Sequence, residues 1–187
     1  MLGRWQIAVR PMRRLSDRLE ERLDALNPRI VRAVRAAHEA YEQLGVRHVL
    51  VGGLAVGVHG HPRATKDVDF LVGPEAFQSS GTIVSFRAGV PLASEGVPID
   101  SILAPVTHDA VLAEALADPV VVDGVPVIRP DALVLMKLAA GRRQDLADVL
   151  ALLQVGAIDV PRTRALLQRA DASLVAAFDG LVEESER

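Results

Sequence analysis

The chain has 187 residues, half of them hydrophobic, which suffices for one domain with a core and is too short for two large ones. Its 21 Lys+Arg nearly balance 24 Asp+Glu, which excludes a polyanion-coating protein and a disordered acidic tail. The absence of cysteine excludes disulfides, thiolate zinc sites and cysteine nucleophiles, and 3% aromatic content leaves no stacking platform for single-stranded nucleic acid or sugar rings.

Residues 1–14 carry four arginines and no run long enough for a signal-peptide core. No apolar stretch nears the ~20 residues of a membrane span, so a soluble, cytoplasmic protein with no membrane partner is expected. Residues 1–35 hold nine arginines against four acids. They read either as a basic arm for an RNA, a phosphate-rich ligand or an acidic partner, or as a solvated helix face. Leu15, Leu19, Leu23 and Leu26 recur at helical spacing, and Asn27-Pro28 closes that helix and opens the next. In the second helix Ile30, Val34, Ala37, Tyr41 and Leu44 form an apolar stripe that Gly45 stops.

His48 to Gly52 reads as a buried strand, residues 54–58 as a short helix, and Val68 to Val72 as a second strand. From Gly73 to Val97 the chain is rich in Gly, Pro and Ser, with residues 82–86 the only strand expected there. Val97 to Leu103 is another strand, followed by a helix over 109–116 and a hairpin around Asp123-Gly124. Helices are then expected over 131–140, 144–153 and 161–170, and from Leu174. The pattern predicts an α+β fold, a mixed sheet of about four to five strands flanked by helices. It divides into a basic helical segment (1–45), a core (46–129) and a C-terminal helical segment (130–187).

Asp67 and Asp69 occupy positions i and i+2 of a predicted strand, so their side chains leave the same face roughly 7 Å apart. Two adjacent carboxylates repel unless something positive covers them, and a pair of divalent ions is a common solution. The alternative is a surface strand with two solvated acids. Asp100 lies in an otherwise apolar strand, where an isolated carboxylate wants a metal or an arginine. Gly52-Gly53, where strand turns into helix, lets backbone N–H groups approach a phosphate. The pair is neither a Walker A loop nor a GxGxxG fingerprint. His59 and His61 offer two imidazoles, with no cysteine in the chain and no third histidine beside them.

Only two of the basic residues are lysines, Lys66 beside the paired aspartates and Lys137 in a helix otherwise apolar over 132–140. A lone ammonium there needs an anionic partner or snorkels at the rim. On the next helix Leu146, Val149, Leu150 and Leu153 are read as the core face, with Asp145 and Asp148 on the other. Those two acids either orient Lys137 or Arg143 towards a phosphate or are solvated.

The arrangement Gly52-Gly53, thirteen residues, Asp67-Val68-Asp69, with Asp100 on a later strand, resembles the signature of the nucleotidyltransferase fold of the DNA polymerase β superfamily. The stretch Val51 to Phe70, with Arg-Ala-Thr-Lys-Asp-Val-Asp at 63–69, resembles in particular the AbiEii-like and related minimal bacterial nucleotidyltransferases, and residues 135–148 are similar to their helical Lys…Arg…Asp-x-x-Asp segment. The resemblance implies metal-dependent transfer of a nucleoside monophosphate from a nucleoside triphosphate to an acceptor hydroxyl, releasing pyrophosphate. Asp67, Asp69 and Asp100 would be the catalytic acids and the ligands of two Mg²⁺ ions. Gly52, Gly53, Arg63, Thr65, Lys66, Lys137 and Asp145 would form the nucleotide site. The acceptor would be a tRNA, a protein or a small molecule, and an antitoxin partner in a toxin–antitoxin system is implied. The alternative is a non-catalytic nucleotide-binding or antitoxin module with the same fold. Larger relatives place helices between the second and third acids, where this chain has a short Gly/Pro-rich connection.

Overall fold

The computed structural model describes residues 28–103 and 108–187, together with Leu19. Leu19 is fully buried in the core; the rest of the leucine repeat over 15–26 and the arginines before Pro28 lie outside the described residues.

Helix α1 (Pro28–Leu44) starts with a proline whose missing N–H is not needed there. It buries Ile30, Val34, Ala37 and Tyr41 and ends at Gly45, whose φ of +65° favours glycine. Strand β1 (His48–Leu50) leads into the short helix α2 (Gly52–Val58) and then β2 (Val68–Val72). A 3₁₀ turn (Pro74–Ala76) precedes β3 (Phe77–Ser80) and β4 (Ile83–Phe86), followed by β5 (Ala93–Ser94) and β6 (Val97–Leu103). Helix α3 (Asp109–Ala117) comes next, and β7 (Val120–Val122) and β8 (Val125–Val127) form a hairpin. Asp123 and Gly124 at its tip both have positive φ, 53° and 82°, as a tight two-residue turn requires. Helices α4 (Pro130–Ala140), α5 (Arg143–Gln154), α6 (Val160–Ala170) and α7 (Val175–Ser185) complete the chain.

The fold is α+β, a six-stranded mixed sheet in the order β5-β6-β2-β1-β8-β7 with seven α-helices among the described residues. The sixth strand is the two-residue β5, too short to carry an alternation in sequence. β1 pairs antiparallel with β2 and parallel with β8, and β2 pairs parallel with β6. A separate two-stranded sheet, β3 with β4, lies where one strand was expected. Gln78, Ser79 and Ser80 are polar and exposed, so β3 shows no buried face in sequence; stacking of Phe77 on Phe86 closes the hairpin, with ring centroids 5.0 Å apart. No helix among the described residues is long and apolar enough to cross a membrane.

Alternation along β2 divides the sheet. His48, Leu50, Phe70, Val72 and Ser101 share the face covered by α1, where the Tyr41 ring packs edge-on against Phe70 at 5.2 Å and its hydroxyl lies 2.7 Å from Ser101 Oγ. Asp69, Asp100 and Ile102 point to the opposite face, which meets α4. Phe70 is fully buried between Tyr41 and His48. Phe70→Ala is expected to cost about 3–5 kcal/mol of unfolding free energy in urea titrations, and a loss below 1 kcal/mol would contradict this packing.

Candidate active site

The in-register parallel pairing of β2 with β6 sets Asp69 directly opposite Asp100, so both side chains leave the same face of adjacent strands. Asp67, two residues before Asp69, joins them. Carboxylate oxygens of Asp67, Asp69 and Asp100 lie within 4.8 Å of one another. Thr65 Oγ1 donates to Asp67 Oδ1 at 2.9 Å and so fixes that carboxylate. Burial first, then the charges of Asp67 and Asp100, push the Asp69 carboxyl up to about 6, against the opposing pull of Lys137 and Arg142. Three hard oxygen donors on one face, one of them raised by burial and by its two neighbours' charges, fit Mg²⁺.

β1 runs into α2 beside this cluster, and the Val51 N–H donates to the Asp69 carbonyl at 2.9 Å. Gly52 is at φ +63°, and a Cβ there would fall 1.9 Å from Asp69 Oδ2, so glycine is required on both counts. A Cβ on Gly53 would approach the Arg63 guanidinium to 3.0 Å. The two glycines thus seat the acid and the arginine as closely as backbone allows.

Across the cluster lies a buried ionic network. Lys137 is 5% exposed, and its Nζ donates to Asp145 Oδ1 and Asp148 Oδ2, each at 2.8 Å. Arg63 grips Asp148 with two N–H groups, at 2.7 and 2.9 Å, Gln144 donates to it at 3.0 Å, and Arg142 donates to Asp145 at 2.6 Å. Burial alone would raise both carboxyls. Hydrogen bonds outweigh it and hold them below the usual carboxylate range, from Arg142 and Lys137 at Asp145 and from Arg63, Lys137 and Gln144 at Asp148. The expected polar face of α5 is therefore buried: Asp145 and Asp148 are each 1% exposed, and they engage Arg142 and Arg63 rather than Arg143. Lys137 does not snorkel.

A cleft of about 220 Å³ joins the two groups, lined by Gly52, Asp69, Lys137, Arg142 and Asp145 over an apolar floor of Leu133 and Met136. Gly52, Gly53, Arg63, Thr65, Asp67, Asp69, Asp100, Lys137 and Asp145 thus surround one region. Lys66 is exposed beside Asp67, and its side chain forms no hydrogen bond or ion pair among the described residues. His59 is turned away to the Ile128 carbonyl, 2.7 Å from its Nε2. Arg142 and Gln144 were missed as site residues, although Asp145 and Asp148 a turn apart are the signal that cations must converge on them. A larger cavity of about 530 Å³ lies between α3, α4 and α6. Its arginines are matched by acids, Arg162 with Asp131 at 2.5 Å and Arg169 with Glu114 at 2.8 Å, and none of the clustered aspartates reaches it.

No family model matches the chain, and no curated protein matches it. Among solved structures it is similar to an antigenic nucleotidyltransferase-like protein from Paracoccidioides brasiliensis, with 16% identity over 80% of this chain and 91% of that one and a TM-score of 0.40.

Two outcomes follow from the electrostatics. A carboxyl raised in the folded state destabilises once pH exceeds its unfolded value, so Asp69→Asn should stabilise the chelator-treated protein at pH 7 by about 1–3 kcal/mol and be neutral near pH 4. A loss of stability at pH 7 in urea titrations would contradict this. Lys137→Met, which leaves Asp145 and Asp148 short of a buried cation, should cost about 3–5 kcal/mol, measurable as a lowered Tm and urea midpoint.

Proposed function

We propose that the protein transfers a nucleoside monophosphate from a nucleoside triphosphate to an acceptor hydroxyl and releases pyrophosphate. The observation that carries this reading is the convergence of Asp67, Asp69 and Asp100 on one face of two parallel strands, beside a cleft walled by Gly52, Lys137 and Arg142. Asp67 and Asp69 would hold two Mg²⁺ ions, with Asp100 completing the set. When bound, the ions supply charge neutralisation at the reacting phosphate and lower the pKa of a ligated hydroxyl.

The chain's own residues do the rest. Two of the three Lys137 N–H donors are committed to Asp145 and Asp148, which fixes the ammonium at the cleft wall with its third donor available to a phosphate oxygen. Arg142, on the same wall, adds positive charge, and backbone at Gly52 and Gly53 can approach the triphosphate closely because no Cβ intervenes. Arg63 is a positioning residue that acts through Asp148, and Thr65 positions Asp67. The exposed Lys66 would meet the triphosphate from outside. The acceptor oxygen attacks the α-phosphorus, its proton passes to the Asp100 carboxylate, and the bond from the α-phosphorus to the bridging oxygen breaks as pyrophosphate leaves. The cleft is smaller than the ~300–1,000 Å³ of pockets that enclose whole ligands, so it would take the triphosphate and leave nucleoside and acceptor outside. The acceptor class is a tRNA, a protein or a small molecule, and the similarity of residues 51–70 to minimal bacterial nucleotidyltransferases favours a toxin–antitoxin setting.

Incubation with α-labelled triphosphates, Mg²⁺ and a panel of these acceptors should give label transfer that Asp67→Asn and Asp69→Asn each reduce at least a hundredfold. Transfer that survives both substitutions would overturn the assignment. Mg²⁺-dependent triphosphate binding in calorimetry with no transfer to any acceptor would favour a non-catalytic nucleotide-binding module.

A further inference from the structure

A second group of side chains converges on the other side of the sheet. His38 and Glu42, one turn apart on α1, and His48, at the start of β1, bring their nitrogen and oxygen atoms within 4.8 Å of one another. His48 is 4% exposed and held from several directions. The rings of Tyr41 and Phe70 pack on it, with centroids 4.8 and 5.6 Å away, and its Nδ1 lies 2.8 Å from the Val46 carbonyl oxygen. A carbonyl only accepts, so Nδ1 carries the hydrogen and the Nε2 lone pair points at His38 Nδ1, 2.8 Å away. Two imidazole nitrogens therefore meet head to head, with the carboxylate of the exposed Glu42 beside them.

We propose that His38, Glu42 and His48 bind a divalent transition-metal ion of the zinc type, through His38 Nδ1, His48 Nε2 and the Glu42 carboxylate, with water completing the shell. The Val46 carbonyl on His48 Nδ1–H is the kind of outer contact that orients a ligating imidazole and raises its basicity. Nitrogens on one tetrahedral zinc lie about 3.3 Å apart with both lone pairs aimed at the ion and not at each other, so the rings need to separate by about half an ångström and tilt, which His38, only half-buried on α1, can yield. Its hydrogen moves from Nδ1 to Nε2, so binding to the neutral ring releases no proton. Two imidazoles and one carboxylate select Zn²⁺, Co²⁺ or Ni²⁺, whereas the all-oxygen cluster of Asp67, Asp69 and Asp100 selects Mg²⁺. The two sites are on opposite faces of the sheet, and His48 precedes Val51 by about 10 Å of strand. An ion here ties α1 to β1 across the Gly45–Arg47 connection.

The test is titration of the metal-stripped full chain with Co²⁺ in excess Mg²⁺, read by visible d–d absorption, followed by displacement with Zn²⁺. The expected result is one Co²⁺ per chain, an absorption typical of four- or five-coordinate cobalt, and at least tenfold weaker binding in both Glu42→Gln and His38→Gln. Both substitutions are at accessible positions, and circular dichroism checks that each variant folds. Asp69→Asn should leave the signal intact. No absorption, a signal unchanged in the Glu42 and His38 variants, or one abolished by Asp69→Asn would each overturn the proposal, the last by assigning the ion to the aspartate cluster.

Discussion

The candidate site depends on the register of one pair of strands. Because β2 and β6 run parallel with Asp69 against Asp100, the two acids share a face, and the same register sets Phe70 against Ser101 on the face that Tyr41 covers. A slip of one residue would send Asp100 into the apolar layer under α1 and bring Ser101 up beside Asp69. The apolar packing of Val68, Phe70 and Val72, all fully buried, resists that slip. Core packing and active-site geometry are thus one constraint, enforced from opposite sides of the same strand.

The buried ionic network plays a complementary part. Lys137 on α4, Asp145 and Asp148 on α5 and Arg63 after α2 join three separate elements through hydrogen-bonded charges. Buried ion pairs of this kind add little net stability, since removing the charges from water offsets most of their attraction. Their contribution is geometric. With Asp145 and Asp148 tied on several sides, the ammonium of Lys137 has a single place to be, at the wall of the cleft that Asp69 also lines.

Features that depend on local pattern were legible in sequence. The alternation through Asp67 and Asp69 placed them on one side of a strand, the stripe from Ile30 to Leu44 gave α1, and Lys137 stood out as the one cation of an apolar helix. Features that depend on matching distant partners were not. The leucines of α5 leave Asp145 and Asp148 open between a solvated face and a contact with Lys137 or Arg143, and nothing local reveals that Arg63 arrives from 85 positions upstream. The strand β3 was illegible because its polar, exposed residues have no buried side to alternate with. Likewise His38 and Glu42 look like ordinary polar positions of an amphipathic helix until β1 brings His48 against them.

The elevated Asp69 carboxyl carries a thermodynamic consequence for anything cationic that settles among the three acids. With a pKa of about 6, this group retains a proton in part of the population near neutral pH and in most of it below pH 5. A cation that needs all three carboxylates ionised displaces that proton, so its uptake is coupled to acid release, and its apparent affinity falls by up to about tenfold for each unit of acidification below 6. The heat of such binding would then vary with the ionisation enthalpy of the buffer. That dependence separates a cation seated on Asp69 from one merely attracted to the negative surface.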